Sequence, residues 1–334
     1  MTDQTTIISA FVHLATQFTD ENEELSTSIS KTYVENNWLT KENYWNALFD
    51  WKTSFTKEKL ENFAKNYTYT KHPKKVGIIM AGNIPMVGFH DLLCTLLSGN
   101  IAVIKPSSDD KYVMLYVSKW LSSNGLSDKI EIVERLNKID AVIATGSNNS
   151  HRYFEQYFKN IPNLLRKNRK SMAVLTGHET DNDLDNLAID VFQYFGLGCR
   201  NVSFILLPKS MDITRVLDHF MSHKYLENHN KYSNNYTYHR ALLLMNSEQH
   251  LDTGFALCKE RKDLLAPLAC IHYAYYEKED EVSTFIKNNE GNIQCVVGNY
   301  SQGKSVAFGQ TQKPELQDFA DKRDTMHFLE SIAN

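Results

Sequence analysis

Apolar residues fall along this chain in two textures. Up to about residue 70 they recur at helical spacing, first as Ile7, Ile8, Phe11, Val12, Leu14 and Ala15 and again between Tyr44 and Phe63, which predicts helices. From Val76 the pattern changes to short apolar runs at 76–80, 101–104, 130–133 and 141–144. Amphipathic stretches such as 88–97 and 112–121 alternate with them. That βαβ rhythm predicts a parallel sheet covered by helices. In such a sheet ligands collect at the carboxyl ends of the strands. The segments AGNIP, KPSSDD and ATGSNNS, which follow three of the runs, carry the Gly, Asn, Ser and Lys suited to that rim.

A second such region opens near residue 168. A strand is expected at 171–175, and the acidic run ETDNDLD then opens an amphipathic helix through Phe195, with its carboxylates at the favourable end of the helix dipole. The turn in GLGCRNVSFILLP leads into an apolar strand at 202–207. Beyond Pro208 the pattern predicts a helix at 213–221, a polar Asn/Tyr-rich loop at 229–237, strands at 241–244 and 293–297, and a last helix at 314–332. The Gly-rich stretch GNYSQGKSVAFGQTQ reads as a return loop between two lobes, and no fixed-period repeat is present.

Composition narrows the function. A chain of 334 residues with 42% hydrophobic and 11% aromatic residues can build two lobes with sizeable cores. With 36 basic residues against 40 acidic ones, it offers no general attraction to nucleic acid. No stretch of about 18 apolar residues suggests a membrane span, and the start MTDQTTIISAFVHLATQFTD lacks the basic residues and cleavage site of a secretory signal. A cytoplasmic protein is the expectation. Five cysteines with no C-x-x-C pair argue against both a disulfide framework and a zinc site.

The most informative arrangement is Gly196-Leu197-Gly198-Cys199-Arg200-Asn201, where the glycines permit sharp backbone angles just before a thiol. Read locally, Cys199 is either an exposed nucleophile or a small buried hydrophobe. Cys94, Cys258, Cys270 and Cys295 lie among largely apolar neighbours. Asn83, after the first strand, is either an oxyanion donor or an ordinary turn residue. No Gly-x-Gly-x-x-Gly fingerprint occurs. Lys105-Pro106-Ser107 and Thr145-Gly146-Ser147 nevertheless end two strands with groups suited to a ribose and a phosphate, or simply with strand-to-helix turns.

Taken in order over about residues 76–208, AGNIP, SGNIAVIKPSSD, ATGS, KSMAVLTGHETDNDLD and FQYFGLGCRNVSFILLP resemble the successive signatures of the aldehyde dehydrogenase superfamily. Within it the chain most resembles the shorter, LuxC-like long-chain acyl-CoA reductases of the bioluminescence type, which reduce fatty acyl thioesters with NADPH. The ending FGQTQKPELQDFADKRDTMHFL is similar to that branch as well.

The resemblance implies an α/β, aldehyde-dehydrogenase-like fold with a Rossmann-type parallel-sheet cofactor domain and a smaller α/β catalytic domain. Residues 1–165, joined by about 305–334, would form the first, and 166–304 the second. It makes Cys199 the acyl-accepting nucleophile and Asn83 an oxyanion donor beside the Cys199 amide. Lys105 and Ser107 would hold the adenosine ribose, and Gly146 with Ser147 would face the pyrophosphate. No metal is implied. Acyl-CoA or an acyl-carrier thioester is the implied substrate, and a homo-oligomer the implied assembly.

Where hydrolytic relatives place a general-base Glu, this sequence runs LLRKNRKSMAV and offers Arg166 or a neighbour, which disfavours hydrolysis of an acyl-enzyme. The relatives' Lys-Pro-Ser-Glu is here Lys105-Pro106-Ser107-Ser108, a change that points to NADPH and leaves NADH open, with Asp109 and Asp110 close enough to offset it. Arg200 is either an aid to thiol ionisation or a structural partner. His90 and His178 are minor candidates for a proton donor. The competing readings are an aldehyde dehydrogenase forming free acid, with water activated by Glu179, and a non-catalytic subunit that holds an acyl group.

Overall fold

In the computed structural model, which describes residues 2–146, 148–299 and 304–333, the chain divides into two units. The first comprises Met1–Asn168 with Glu315–Asn334, and the second comprises Arg169–Pro314.

The first unit opens with helices α1 (Gln4–Thr16), α2 (Glu23–Glu35), α3 (Lys41–Ser54) and α4 (Lys57–Ala64). Each begins at an Asp, Asn or Thr whose side chain accepts a backbone N–H of the first turn: Asp3, Asn22, Thr40 and Thr56. Their apolar faces meet in an aromatic cluster with Phe89, where Phe11, Trp51 and Phe55 lie 5.0 to 6.1 Å from its ring. Burying each such side chain is worth about 1.5–3 kcal/mol, which accounts for why this amphipathic segment is ordered.

The βαβ part follows as β1 (Lys75–Ile79), α5 (Phe89–Leu97), β2 (Ile101–Lys105), α6 (Tyr112–Leu121), β3 (Ile130–Ile132), β4 (Ala141–Thr145), α7 (Asn148–Tyr157) and β5 (Asn163–Arg166). The strands pair in the order β3-β2-β1-β4-β5, all parallel. The central residues of β1, β2 and β4 are buried, as runs of Val, Ile and Ala covered on both faces should be.

The second unit runs β6 (Lys170–Val174), α8 (Asp181–Phe192), β7 (Val202–Pro208), α9 (Ile213–Phe220), α10 (Asn230–Met245), β8 (Leu251–Asp252), β9 (Leu257–Glu260), β10 (Cys270–Tyr276), α11 (Glu279–Asn289) and β11 (Ile293–Val297). Its sheet has the order β11-β6-β7-β10-β9-β8 and is parallel except at the β8–β9 edge. Helix α12 (Thr325–Ser331) belongs to the first unit. Among the described residues, no helix is long and apolar enough to cross a membrane.

Three expectations need correction. The loop expected at 229–237 and the strand expected at 241–244 are together one helix, α10, in which Tyr232 is the residue buried. The last helix is only Thr325–Ser331, the chain before it being turns. Helix α8 stops at Phe192 because Tyr194 and Phe195 take left-handed φ values of 54° and 58°. The sequence reading also missed β5, β9, β10 and α11. Part of the Gly-rich stretch, residues 300–303, lies outside the described residues.

Candidate active site

The strand order in the first sheet sends the chain from β1 to β2 on one side and then back past β1 to β4 on the other. The carboxyl ends of β1 and β4 therefore flank the switch point where open α/β sheets take ligands. The loop after β1 carries Asn83 at an exposed position. It is packed hard against the loop after β2: a Cβ on Gly82 would stand 2.5 Å from Ser107 Oγ and 3.0 Å from the Cβ of Asp109. Asn36 donates to the Gly82 carbonyl at 3.3 Å.

Further along the loop after β1, the Met86 N–H donates at 3.3 Å to the buried carboxyl of Asp110, which follows β2 and also accepts the Tyr44 hydroxyl. Burial pushes that carboxyl well above the usual range. Lys105 and Ser107 are half-buried at the end of β2, and Ser107 Oγ accepts the Asp109 N–H at 3.3 Å. Gly146 ends β4, where a Cβ would come within 2.9 Å of Ser150 and 3.0 Å of Phe154, so a side chain there would push α7 off the strand end. The first unit thus brings the Asn83, Lys105 and Ser107 loops together, with Gly146 at the end of the strand beside β1. Ser147 lies outside the described residues.

In the second unit Cys199 sits half-buried in the turn between α8 and β7. Gly196 takes a left-handed φ of 75° directly after the two left-handed aromatics, so the chain reverses within three residues of the thiol. Asn201, fully buried, pins the turn. Its Nδ2 donates to the carbonyls of Asp190, Val191 and Gln193 at 3.2, 3.2 and 2.7 Å, and its Oδ1 accepts the Gly198 N–H at 2.9 Å. From β6, Lys170 Nζ donates to the Gly196 carbonyl at 2.8 Å and Ser171 Oγ to the Cys199 carbonyl at 3.1 Å. Lys170, Ser171 and Asn201 were not singled out from the sequence. Asn201 stood inside the quoted motif, and the signal for it was a buried-type position between a turn and a strand.

Several minor candidates are engaged within the fold. Arg200 Nε donates to the Thr311 carbonyl, and Thr311 in turn bonds the buried Asp190 through its N–H at 3.0 Å and its hydroxyl at 2.7 Å. Burial raises Asp190, and the nearby Arg200 charge counters this. Arg166, one of the residues considered for the place of the relatives' base, is buried and held by Asp91 through bonds of 2.5 and 2.7 Å and by Thr325 at 2.9 Å.

Glu179 is buried, and its carboxylate accepts Thr176 N–H, Thr176 hydroxyl and Gly177 N–H at 2.6, 2.8 and 3.0 Å. His90 stacks among Trp51, Phe63 and Phe319, with Nε2 on the Leu316 carbonyl at 2.9 Å, and burial lowers its pKa. His178 is exposed. Cys94 and Cys258 are buried, and burial pushes both thiols up; Cys270 is pushed up to about 12 for the same reason. No group of acidic, His and Cys residues that could hold a metal ion exists among the described residues.

A parallel switch-point sheet followed by a second α/β unit that carries a cysteine turn defines the aldehyde dehydrogenase fold, and solved structures agree. An NAD-dependent aldehyde dehydrogenase from Sinorhizobium meliloti is similar at 11% identity, covering 95% of this chain and 72% of its own, with a TM-score of 0.67. An aldehyde dehydrogenase from Bacillus cereus, solved with NAD+, is similar at 13% identity over 89% of this chain and 72% of its own, with a TM-score of 0.64. KauB, an aldehyde dehydrogenase from Pseudomonas aeruginosa, shows 10% identity over 90% and 73%, with a TM-score of 0.67. Identities this low establish the fold alone. Among curated proteins no relative matches. Residues 55–232 match the acyl-CoA reductase (LuxC) family, and the chain belongs to that family, whose members are oxidoreductases acting on acyl and aldehyde groups.

Proposed function

We propose that this chain reduces a fatty acyl thioester, carried on CoA or on an acyl carrier, to an aldehyde through an acyl-Cys199 intermediate, with NADPH as reductant. The observation that carries the reading is the fate of the hydrolytic base. The stretch read at that position, LLRKNRKSMAV, holds no carboxylate, its Arg166 is locked to Asp91, and the alternative carboxylate, Glu179, has its oxygens engaged by loop donors. Neither place considered for a base therefore offers a carboxylate disposed to activate water, which weighs against the free-acid reading.

In this reading the Cys199 sulfur attacks the thioester carbon, and the departing thiolate takes a proton. The Asn83 amide and the Cys199 backbone N–H donate to the oxygen as it gains charge. NADPH, when bound, supplies the hydride that converts the acyl thioester on Cys199 into a thiohemiacetal. Collapse of that species releases the aldehyde and returns the sulfur. The first unit fits a dinucleotide. Its two loops meet so closely that Gly82 leaves no room for a Cβ, and Gly146 lets α7 begin against the end of β4. Lys105 and Ser107 would hold the ribose, and Gly146 with Ser147 would lie by the pyrophosphate. Asp110 leaves room for NADPH, because its carboxyl is turned inward and burial favours its uncharged form, so that only Asp109 of the two acids would repel a 2′-phosphate.

The test is intact-mass analysis after incubation with acyl-CoAs of several lengths. The expected result is a gain equal to the acyl group on wild type, none on Cys199→Ala, and discharge by NADPH with aldehyde as product. An adduct that survives every nicotinamide would favour the acyl-holding subunit, and release as free acid would overturn the reductase reading. Asn83→Ala should lower turnover about 100- to 1,000-fold while leaving the fold intact, measured as aldehyde formed per unit time at saturating substrate.

A further inference from the structure

The start of β6 grips the cysteine turn at both ends, Lys170 on the Gly196 carbonyl at 2.8 Å and Ser171 on the Cys199 carbonyl at 3.1 Å. A lysine can make the first of these bonds without being charged, and a buried ammonium is costly unless something negative faces it.

The groups around it are identifiable. Tyr232 of α10 and Cys270 of β10 line the same small cavity as Lys170 and Phe195. His229 packs its ring on Phe195, and its Nδ1 accepts the Tyr232 N–H at 3.3 Å. Cys295 of β11 lies 3.0 Å from Ser171 Oγ. Arg169 Nη1 donates to the Ile293 carbonyl at 3.4 Å, and Arg200 and Asp190 are engaged with residues 309–311. Burial pushes the phenol of Tyr232 and the thiol of Cys270 upward, so both are neutral at working pH. Burial likewise pushes Lys170 down to about 8, and the charge that counters it is that of the Cys199 thiolate.

We propose that Lys170 is a positioning residue for Cys199: anchored on the Gly196 carbonyl, its ammonium holds the neighbouring thiol in its charged, nucleophilic form. The inference rests on the reading of Cys199 as the nucleophile and supplies the positive charge that such a thiol requires. Arg200, next to Cys199 in the chain, turns its Nε to the Thr311 carbonyl, and its charge acts on Asp190.

The experiment uses the full chain without acyl-CoA or cofactor. The rate of iodoacetamide alkylation at Cys199 is followed by peptide mass spectrometry across pH. Lys170→Met should move the alkylation midpoint up by about one pH unit or more, and Lys170→Arg, which keeps the charge, should return it toward wild type. An unmoved midpoint in Lys170→Met, or no recovery with Arg, overturns the proposal.

A reciprocal arm needs no Lys170 variant. Acetic anhydride trapping of the Lys170 amine should show a lower midpoint in Cys199→Ala than in wild type, because coupling between two sites is mutual. An equal midpoint there overturns the proposal even if Lys170→Met does not fold. Coupling in both arms without an acyl adduct would sink the nucleophile reading alone, whereas an adduct with unmoved midpoints would sink this one alone.

Discussion

Arg166 carries a full positive charge into the interior of the first unit, and Asp91 meets it with two parallel bonds while Thr325 takes a third. Such a pair adds little over an apolar pair of the same shape, but removing one partner strands a buried charge. Asp91→Asn should therefore cost about 3–5 kcal/mol, read as a lowered denaturation midpoint. Arg166→Met added to it should recover part of the loss. From the sequence, Arg166 is visible only as an absence, a base position without a carboxylate. Its partner 75 residues away in the chain is not visible, because the pairing exists only after β5 and α5 pack. The cysteine turn is legible because its glycines and thiol are contiguous. Lys170 is not, since a lysine at the start of a strand has the same pattern as a solvated one, and only burial beside Gly196 distinguishes them.

Elements written as an unbroken apolar run or stripe were legible, whereas β10, almost wholly buried but interleaved with His and Tyr, was not. The first four parallel strands stand within a residue or two of their apolar runs; β1, β2 and β4 are covered on both faces, and the edge strand β3 buries only Ile130. Helix α10 defeats the same logic. Tyr232 is its buried residue, and Leu242, Leu244 and Met245 are exposed, so no stripe repeats at helical period and the apolar run near its end imitates a strand. What starts it is local: His229 Nδ1 accepts the Tyr232 N–H at 3.3 Å.

Helix α8 shows how an element positions chemistry. A capping box between Thr180 and Asp183 fixes its start, and its last carbonyls accept the Asn201 amide that pins the cysteine turn. Asn201→Asp keeps the shape but faces a carboxylate to three carbonyls, which should cost about 3 kcal/mol or more. A thermal melt of the variant checks this, and a midpoint equal to wild type would remove Asn201 from its assigned role.

At the scale of the whole molecule, stability and reactivity pull Lys170 in opposite directions, and pH separates them. Its amine has an ordinary value of 10.5 and is pushed down to about 8 in the folded chain. Below about pH 8 both the folded and the unfolded chain carry the charge, and the fold bears the full cost of burying it. Between there and 10.5 the unfolded chain binds more protons than the folded one, so this group's contribution to stability rises with pH and levels off once both are neutral. Other lysines titrate alike with and without Lys170, and comparing Cys199→Ala with the double variant Cys199→Ala/Lys170→Met removes the coupled thiol, so that their difference isolates the term. In that background the protein that keeps Lys170 should gain on its Met counterpart as pH rises toward 10, measured as denaturant midpoints at several pH values. A difference that holds constant over that range would mean that the ammonium is not buried at a cost, and the turn would then have no strained charge to offer its thiol.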